Sequence, residues 1–305
     1  MVDWAALQDL IDRRDETAVA SVPRGLGPEQ RAALCWAAER GPGGIGVAEE
    51  IRREPRLAGL VPRLFELDGV VAWFDTPRSR NGDGWPTALA VLAAEGLVDR
   101  GTLLRACLAA LGRGGRRGVT RGLLRLHDEL APTLGEVRSH ERDYLALLSG
   151  TRSTVAGMAQ RQLRRLDEAD MLPAEILCRA SAAVLLRTEK TLVRAQLDWL
   201  NAAARRDPGH AGDLVLAMTA AFGQQPADLQ ARALTLMLRH VPDLDAATRA
   251  RLADAAGALP DELRARASGS FGPHLARRGV TPAAVRPAGS PVTVTRWGTP
   301  APGSP

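Results

Sequence analysis

Residues 154–208 read TVAGMAQRQLRRLDEADMLPAEILCRASAAVLLRTEKTLVRAQLDWLNAAARRDP, and the spacing within this stretch decides the fold. Val155, Ala159 and Leu163 recur at four-residue steps, as positions on one face of a helix do. After 37 residues the series returns as Leu192, Gln196 and Leu200, and after another 37 as Leu229, Ala233 and Met237. Breaks at Leu172-Pro173, Asp207-Pro208-Gly209 and Pro242 follow these helices, since proline removes an amide donor and ends helical runs. A second apolar helix is expected after each break, over 173–186, 209–222 and 245–258.

A period near 37 with two helices per unit is what stacked helical hairpins require, because one hairpin cannot bury its apolar face alone. The length falls between the TPR and HEAT/armadillo values, and the TPR tryptophan-glycine-tyrosine signature is absent. The expectation is therefore an all-α chain, a HEAT/armadillo-like α-solenoid over residues 85–280. Outward from the repeat, helices are expected at 86–96, 99–112, 117–130 and 135–149. The polar segment Asp75–Gly84 (DTPRSRNGDG) reads as an exposed loop. Residues 1–84 form an N-terminal helical region, with apolar spacing at Trp4, Leu7, Leu10 and Ile11, then Leu34 to Ala38, then Leu57 to Phe74. Residues 281–305 are Pro-, Gly- and Ser-rich, the composition of a disordered tail, with Trp297 its one anchor-like residue.

Composition agrees with helices: Ala, Leu and Arg dominate, and aromatics are only 4%. Of 40 basic residues only Lys190 is lysine, a skew that GC-rich coding produces. A net charge of +5 allows a nucleic-acid partner without demanding one. Cys35, Cys107 and Cys178 are odd in number, widely spaced and set among apolar residues, so buried free thiols are expected. The start, Met-Val-Asp-Trp, shows no signal peptide, and no apolar run approaches ~18 residues, so the reading is cytoplasmic with no membrane span.

Several segments carry a resemblance: WPTALAVLAAEGLVDRGTLLRACLAAL (85–111), LHDELAPTLGEV (126–137), YLALLSGTRSTVAGMAQRQLRRLDEADML (144–172), LVRAQLDWLNAAARRDP (192–208) and LPDELRARASGSFG (259–272). Together they resemble an uncharacterised bacterial family, common in actinomycetes, of large HEAT-like helical-repeat proteins. Genes of that family neighbour those of SWIM zinc-finger proteins and MoxR-type ATPases. The resemblance implies the fold and carries no catalytic residue.

Signatures of chemistry read weakly beside their bland alternatives. Gly41, Gly43 and Gly46 satisfy G-x-G-x-x-G, but the preceding residues have helical periodicity where a dinucleotide site needs a strand, so a helix–helix loop is expected. The five histidines form no H-E-x-x-H pattern, and a solvated face explains His140-Glu141 better than a metal site. Asn81-Gly82-Asp83-Gly84 lacks the ligands of an EF-hand and reads as a turn, and no G-x-S-x-G occurs. Arginines remain: Arg113, Arg116, Arg117, Arg121 and Arg125 around one turn, and Arg161, Arg164 and Arg165 on one repeat helix. The expected function is a non-enzymatic scaffold without a cofactor, binding a protein partner through Arg161, Arg164, Arg165, Arg194 and Trp297. The alternative is a nucleic-acid-binding helical repeat, with DNA-glycosylase chemistry based on tryptophans and an aspartate.

Overall fold

The computed structural model describes residues 27, 30, 33, 34, 36, 37, 40, 41, 46–76, 84–224 and 227–271. Among them the chain is all-α, with short 3₁₀ segments and no strand. The first helices are short: α1 (Val47–Arg53), α2 (Val61–Leu64) and α3 (Asp68–Ala72). Longer ones follow: α4 (Trp85–Ala94), α5 (Arg100–Arg113), α6 (Arg117–Leu130), α7 (Leu134–Ser139), α8 (Glu141–Leu147) and α9 (Ser153–Glu168). The chain continues through α10 (Ala174–Leu185), α11 (Lys190–Arg206), α12 (Ala211–Ala217), α13 (Ala227–Leu238), α14 (Ala246–Ala256) and α15 (Asp261–Phe271).

Alternate helices pack on one another. Contacts run from α4 to α6, then to α9, α11, α13 and α15, while α10 touches α12 and α12 touches α14. The side chains expected to be equivalent meet the same environment: Leu163, Leu200 and Met237 are all 0% exposed, and Val155, Ala159, Gln196, Leu229 and Ala233 are buried with them. Several polar groups inside this packing find partners, although His127 Nδ1 and Gln230 Oε1 do not. Gln160 donates to Gln196 Oε1 (2.8 Å), Gln196 donates to the Ser181 hydroxyl (2.8 Å), and that hydroxyl donates to Leu177 O (2.7 Å). This chain of bonds ties α9, α10 and α11 into one register.

Capping explains where several helices begin. Asp99 accepts from the Thr102 amide (2.7 Å) before α5, and Asp245 accepts from the Thr248 amide (2.6 Å) before α14. Thr133 and Glu136 form a reciprocal capping box at α7. Two helices depart from expectation. The run 135–149 is split at His140 (φ −107°, ψ 19°), after Ser139 returns its hydroxyl to Gly135 O at 2.9 Å. Such back-bonding bends helices. The run 209–222 is α-helical only to Ala217 and tightens to 3₁₀ over Met218–Gly223, where the Thr219 hydroxyl bonds Leu216 O (2.7 Å).

The core is continuous across residue 84. Trp85 meets Trp36 edge-on at 5.7 Å and stacks on Phe74 at 6.2 Å, and Arg52 forks onto Glu95 at 2.9 and 2.6 Å. Gly122 on α6 lets the backbone of Phe74 and Asp75 come close. A Cβ there would lie 2.5 Å from Phe74 Cβ and 2.8 Å from its carbonyl carbon. Gly122→Ala therefore forces backbone apart and is expected to cost about 1–3 kcal/mol, the range for overpacking. Gly269→Ala, with nothing within 4 Å, is expected to stabilise by a few tenths to about 1 kcal/mol. Urea denaturation of both variants checks this; equal stability would show that α6 and the Phe74 segment do not pack this closely. The expected loop tip (residues 77–83), the N-terminal residues 1–26 and the tail lie outside the described residues.

Candidate partner-binding surface

The arginines expected to bind a partner are placed on exposed faces of α9 and α11, without converging on one pocket. Arg161 is exposed and makes no hydrogen bond or ion pair among the described residues. Arg164 donates to Glu168 (2.8 Å), and Arg165 donates to Gln162 Oε1 (2.5 Å) and Pro132 O (3.1 Å). Arg194 donates to Asp228 at 2.5 Å, with Lys190 beside it at 3.2 Å, so both link α11 to α13. Arg232 forks onto Asp198 at 2.6 and 2.8 Å across the same pair of helices. Trp297 lies outside the described residues.

Around the second cluster, Arg121 pairs with Asp75 (2.8 Å), Arg113 donates to Phe65 O, and Arg116 and Arg117 are exposed at the start of α6. Arg125, with Leu124, Asp128 and Glu129, lines an open depression of mixed charge.

Part of the arginine signal has a structural use that sequence reading missed. The last carbonyls of a helix lack amide partners, and a guanidinium carries five donors to supply them. Arg187 donates to Leu148 O (2.9 Å) and Thr151 O (2.8 Å), just beyond α8. Arg100 reaches Leu130 O at the end of α6 while pairing with Glu136 (2.5 Å). Arg152 donates to Gly115 O (2.9 Å), Arg138 to Met171 O, and Arg206 to Asp167 O (3.3 Å). These bonds join turns far apart in sequence, and the sequence signal for them is faint, because an arginine at a turn looks alike whether it binds carbonyl or phosphate.

A groove opens where α9 and α11 end and α10 and α12 begin. Asp167, only 6% exposed, accepts from Trp199 Nε1 (2.6 Å) and from Arg206 (2.6 Å). Trp199 is itself 1% exposed. Tryptophan and aspartate thus meet, but each satisfies the other inside the core. On the rim His210 Nδ1 lies 2.7 Å from Asp207, whose carboxylate raises the imidazole above its ordinary value while its own falls below the usual carboxylate range.

The remaining titratable groups are structural in setting. His127 is fully buried, its Nε2 2.8 Å from the Tyr144 hydroxyl, and burial lowers it to about 4. Burial pushes the Cys107 thiol and the Tyr144 phenol up. Cys107 is buried as expected, whereas Cys178 is only half-buried, its thiol pushed up to about 11 by burial. Both thiols are therefore protonated at neutral pH and poorly nucleophilic. The Cys35 side chain lies outside the described residues. His140, at the break between α7 and α8, lies 2.9 Å through Nδ1 from Asp143, and with its side chain only 11% exposed it is not on the solvated face expected.

At the glycine-rich turn, the described residues before Gly41 are helical, and Gly41 and Gly46 take positive φ of 64° and 77°. Gly41 O accepts from the Trp85 indole (3.1 Å), which fixes the turn against α4. Gly43 lies outside the described residues. Among the described residues no group of three or more His, Cys, Asp or Glu side chains is arranged to hold a metal ion, and no helix is long and apolar enough to cross a membrane. Comparison of the chain with protein-family models, curated proteins and solved structures finds no match.

Proposed function

We propose that this chain is a non-enzymatic scaffold: a HEAT-like array of helical hairpins that holds a protein partner along the face formed by α6, α9, α11 and α13. The observation that carries this reading is the order of the packing, in which α9, α11, α13 and α15 contact one another in turn, as do α10, α12 and α14. Stacking of that kind leaves long faces of helix open to a partner. The four arginines of α9 and α11 are exposed, and the family resemblance, itself a proposal, points the same way.

The nucleic-acid reading is weaker on two observations. Of the nine arginines singled out in the sequence, Arg113, Arg121, Arg164, Arg165 and Arg194 are engaged with other groups of the chain, which leaves Arg116, Arg117, Arg125 and Arg161 to meet phosphates. The Asp167–Trp199 pair is buried and mutually bonded, so that tryptophan has no face to stack on an extruded base. Titration with duplex DNA and with RNA at low and physiological salt tests the choice. Weak binding that vanishes by about 150 mM salt is expected, since a few surface arginines act through counterion release. Submicromolar binding that resists salt would replace the scaffold reading with the nucleic-acid one. Affinity purification from the native host at two salt concentrations then identifies the partner. Charge reversal at Arg161 and Arg194 should weaken its capture, and unchanged capture would move the interface off this face.

A further inference from the structure

Charge is divided unevenly along the chain. Residues 272–305 contain Arg277, Arg278, Arg286 and Arg296 and no Asp or Glu. The tail thus carries four of the five formal positive charges, and residues 1–271 hold the other 36 basic side chains against all 35 acidic ones. A nearly neutral body ends in a wholly cationic segment.

The body carries a groove of the opposite sign. Two open cavities of about 470 and 430 Å³ share Ala174, Glu175 and His210 and so run together across the starts of α10 and α12. Leu177 and Leu214, both buried, and the half-buried Cys178 line its floor. Asp170, Glu175, Asp207 and Asp213 stand along it, outnumbering the cations Arg206, His210 and Arg251, and Asp170 lies 3.8 Å from Arg206. Arg206 is committed to Asp167, and His210 to Asp207. Glu175 and Asp213 have no cationic partner within ion-pair distance among the described residues.

We propose that this groove is the docking site of the chain's own C-terminal segment, residues 272–305, which covers Cys178 and places arginines against Glu175 and Asp213. Reach is sufficient. The tail departs from Phe271 at the end of α15, and α14 contacts both α15 and α12. Two helix-to-helix steps of about 10 Å separate α15 from α12. The six residues from Phe271 to Arg277 span about 20 Å when extended, and Arg286 and Arg296 lie further along. Tethering raises the local concentration of the segment to the millimolar range, so contacts too weak to hold a free peptide are enough to hold it in place. This inference does not rest on the partner face proposed above, although the ends of α9 and α11 border the groove.

The half-buried thiol provides the readout in the full-length chain. Alkylation of Cys178 by N-ethylmaleimide is followed by peptide mapping, with buried Cys107 as an internal reference for unfolding. In low salt the wild-type Cys178 should react about tenfold more slowly than in a variant with Arg277, Arg278, Arg286 and Arg296 all changed to Gln. Raising the salt should bring the wild type close to the variant, as screened surface charges require. Equal rates in low salt overturn the proposal. Protection that grows with protein concentration also overturns it, because the segment in the groove would then belong to a second copy. Protection that is independent of concentration and lost with the arginines supports it.

Discussion

Leu200→Asp is expected to abolish cooperative folding of the chain or to lower its melting temperature by 10 °C or more. Leu200 is 0% exposed on α11, with Leu163 and Met237 at the corresponding places on α9 and α13 also fully buried. The nearest engaged polar groups, Gln196 and Trp199, already have their hydrogen bonds, to Ser181 and Gln160 and to Asp167. A carboxylate introduced here has no donor waiting. It must stay charged without water or take up a proton, and either course costs several kcal/mol on top of the lost apolar burial. Domains have only about 5–15 kcal/mol in hand. Leu186→Asp is the control. Leu186 is 72% exposed and should change stability by no more than about 0.5 kcal/mol. Circular dichroism with thermal melting separates the two. A wild-type melting temperature for Leu200→Asp would mean that the 37-residue register does not place this residue in the core.

The helices of the second half were legible because apolar spacing, helix-breaking prolines and a constant sequence offset coincide there. Toward the N-terminus the helices in contact, α4, α6 and α9, start at Trp85, Arg117 and Ser153, so no constant offset marks them. The α7–α8 pair breaks at His140, where one run of helical spacing conceals a bend. Short polar side chains made that bend, and the 3₁₀ turn at Met218 likewise, by bonding back to their own helix. Hydrophobic spacing does not register such bonds. The arginines were harder still. Their number was plain, but whether each meets a carboxylate, a carbonyl or solvent depends on partners 30 or more residues away, as for Arg187 with Leu148 or Arg206 with Asp167. The sequence pointed to no particular tryptophan and aspartate; only the fold shows that Asp167 and Trp199 are buried and bonded to each other.

Acid should destabilise this fold earlier than its carboxylates alone would cause, and His127 is the reason. Its ring is enclosed on α6, with Tyr144 of α8 at Nε2 and no hydrogen bond at Nδ1, where Asp128 stands 3.8 Å away. Arg161 and Arg165 on α9 face it and oppose a further positive charge, while Asp128 favours one. Burial outweighs them and holds the folded value at about 4, against 6.5 when exposed. Between those values the unfolded chain binds a proton that the folded chain refuses, so stability rises with pH across this window. Above pH 6.5 the group exerts no pH dependence. As pH falls from 6.5 to 4, stability is lost at up to about 1.4 kcal/mol per unit, approaching 3 kcal/mol in all. His240, also lowered by burial, adds in the same direction. Glu50, Glu136 and Glu189, lowered by their arginine partners, add their losses only as pH falls through the carboxylate range. His127→Gln removes the titration and leaves those groups in place. Urea denaturation at pH 7 and at pH 4.5 should therefore show wild type losing about 2 kcal/mol more than the variant over that interval, even where the variant begins less stable. Equal losses in the two proteins would mean that His127 is charged in the folded state, and that its ring reaches a partner or water which the burial of α6 against α8 denies it.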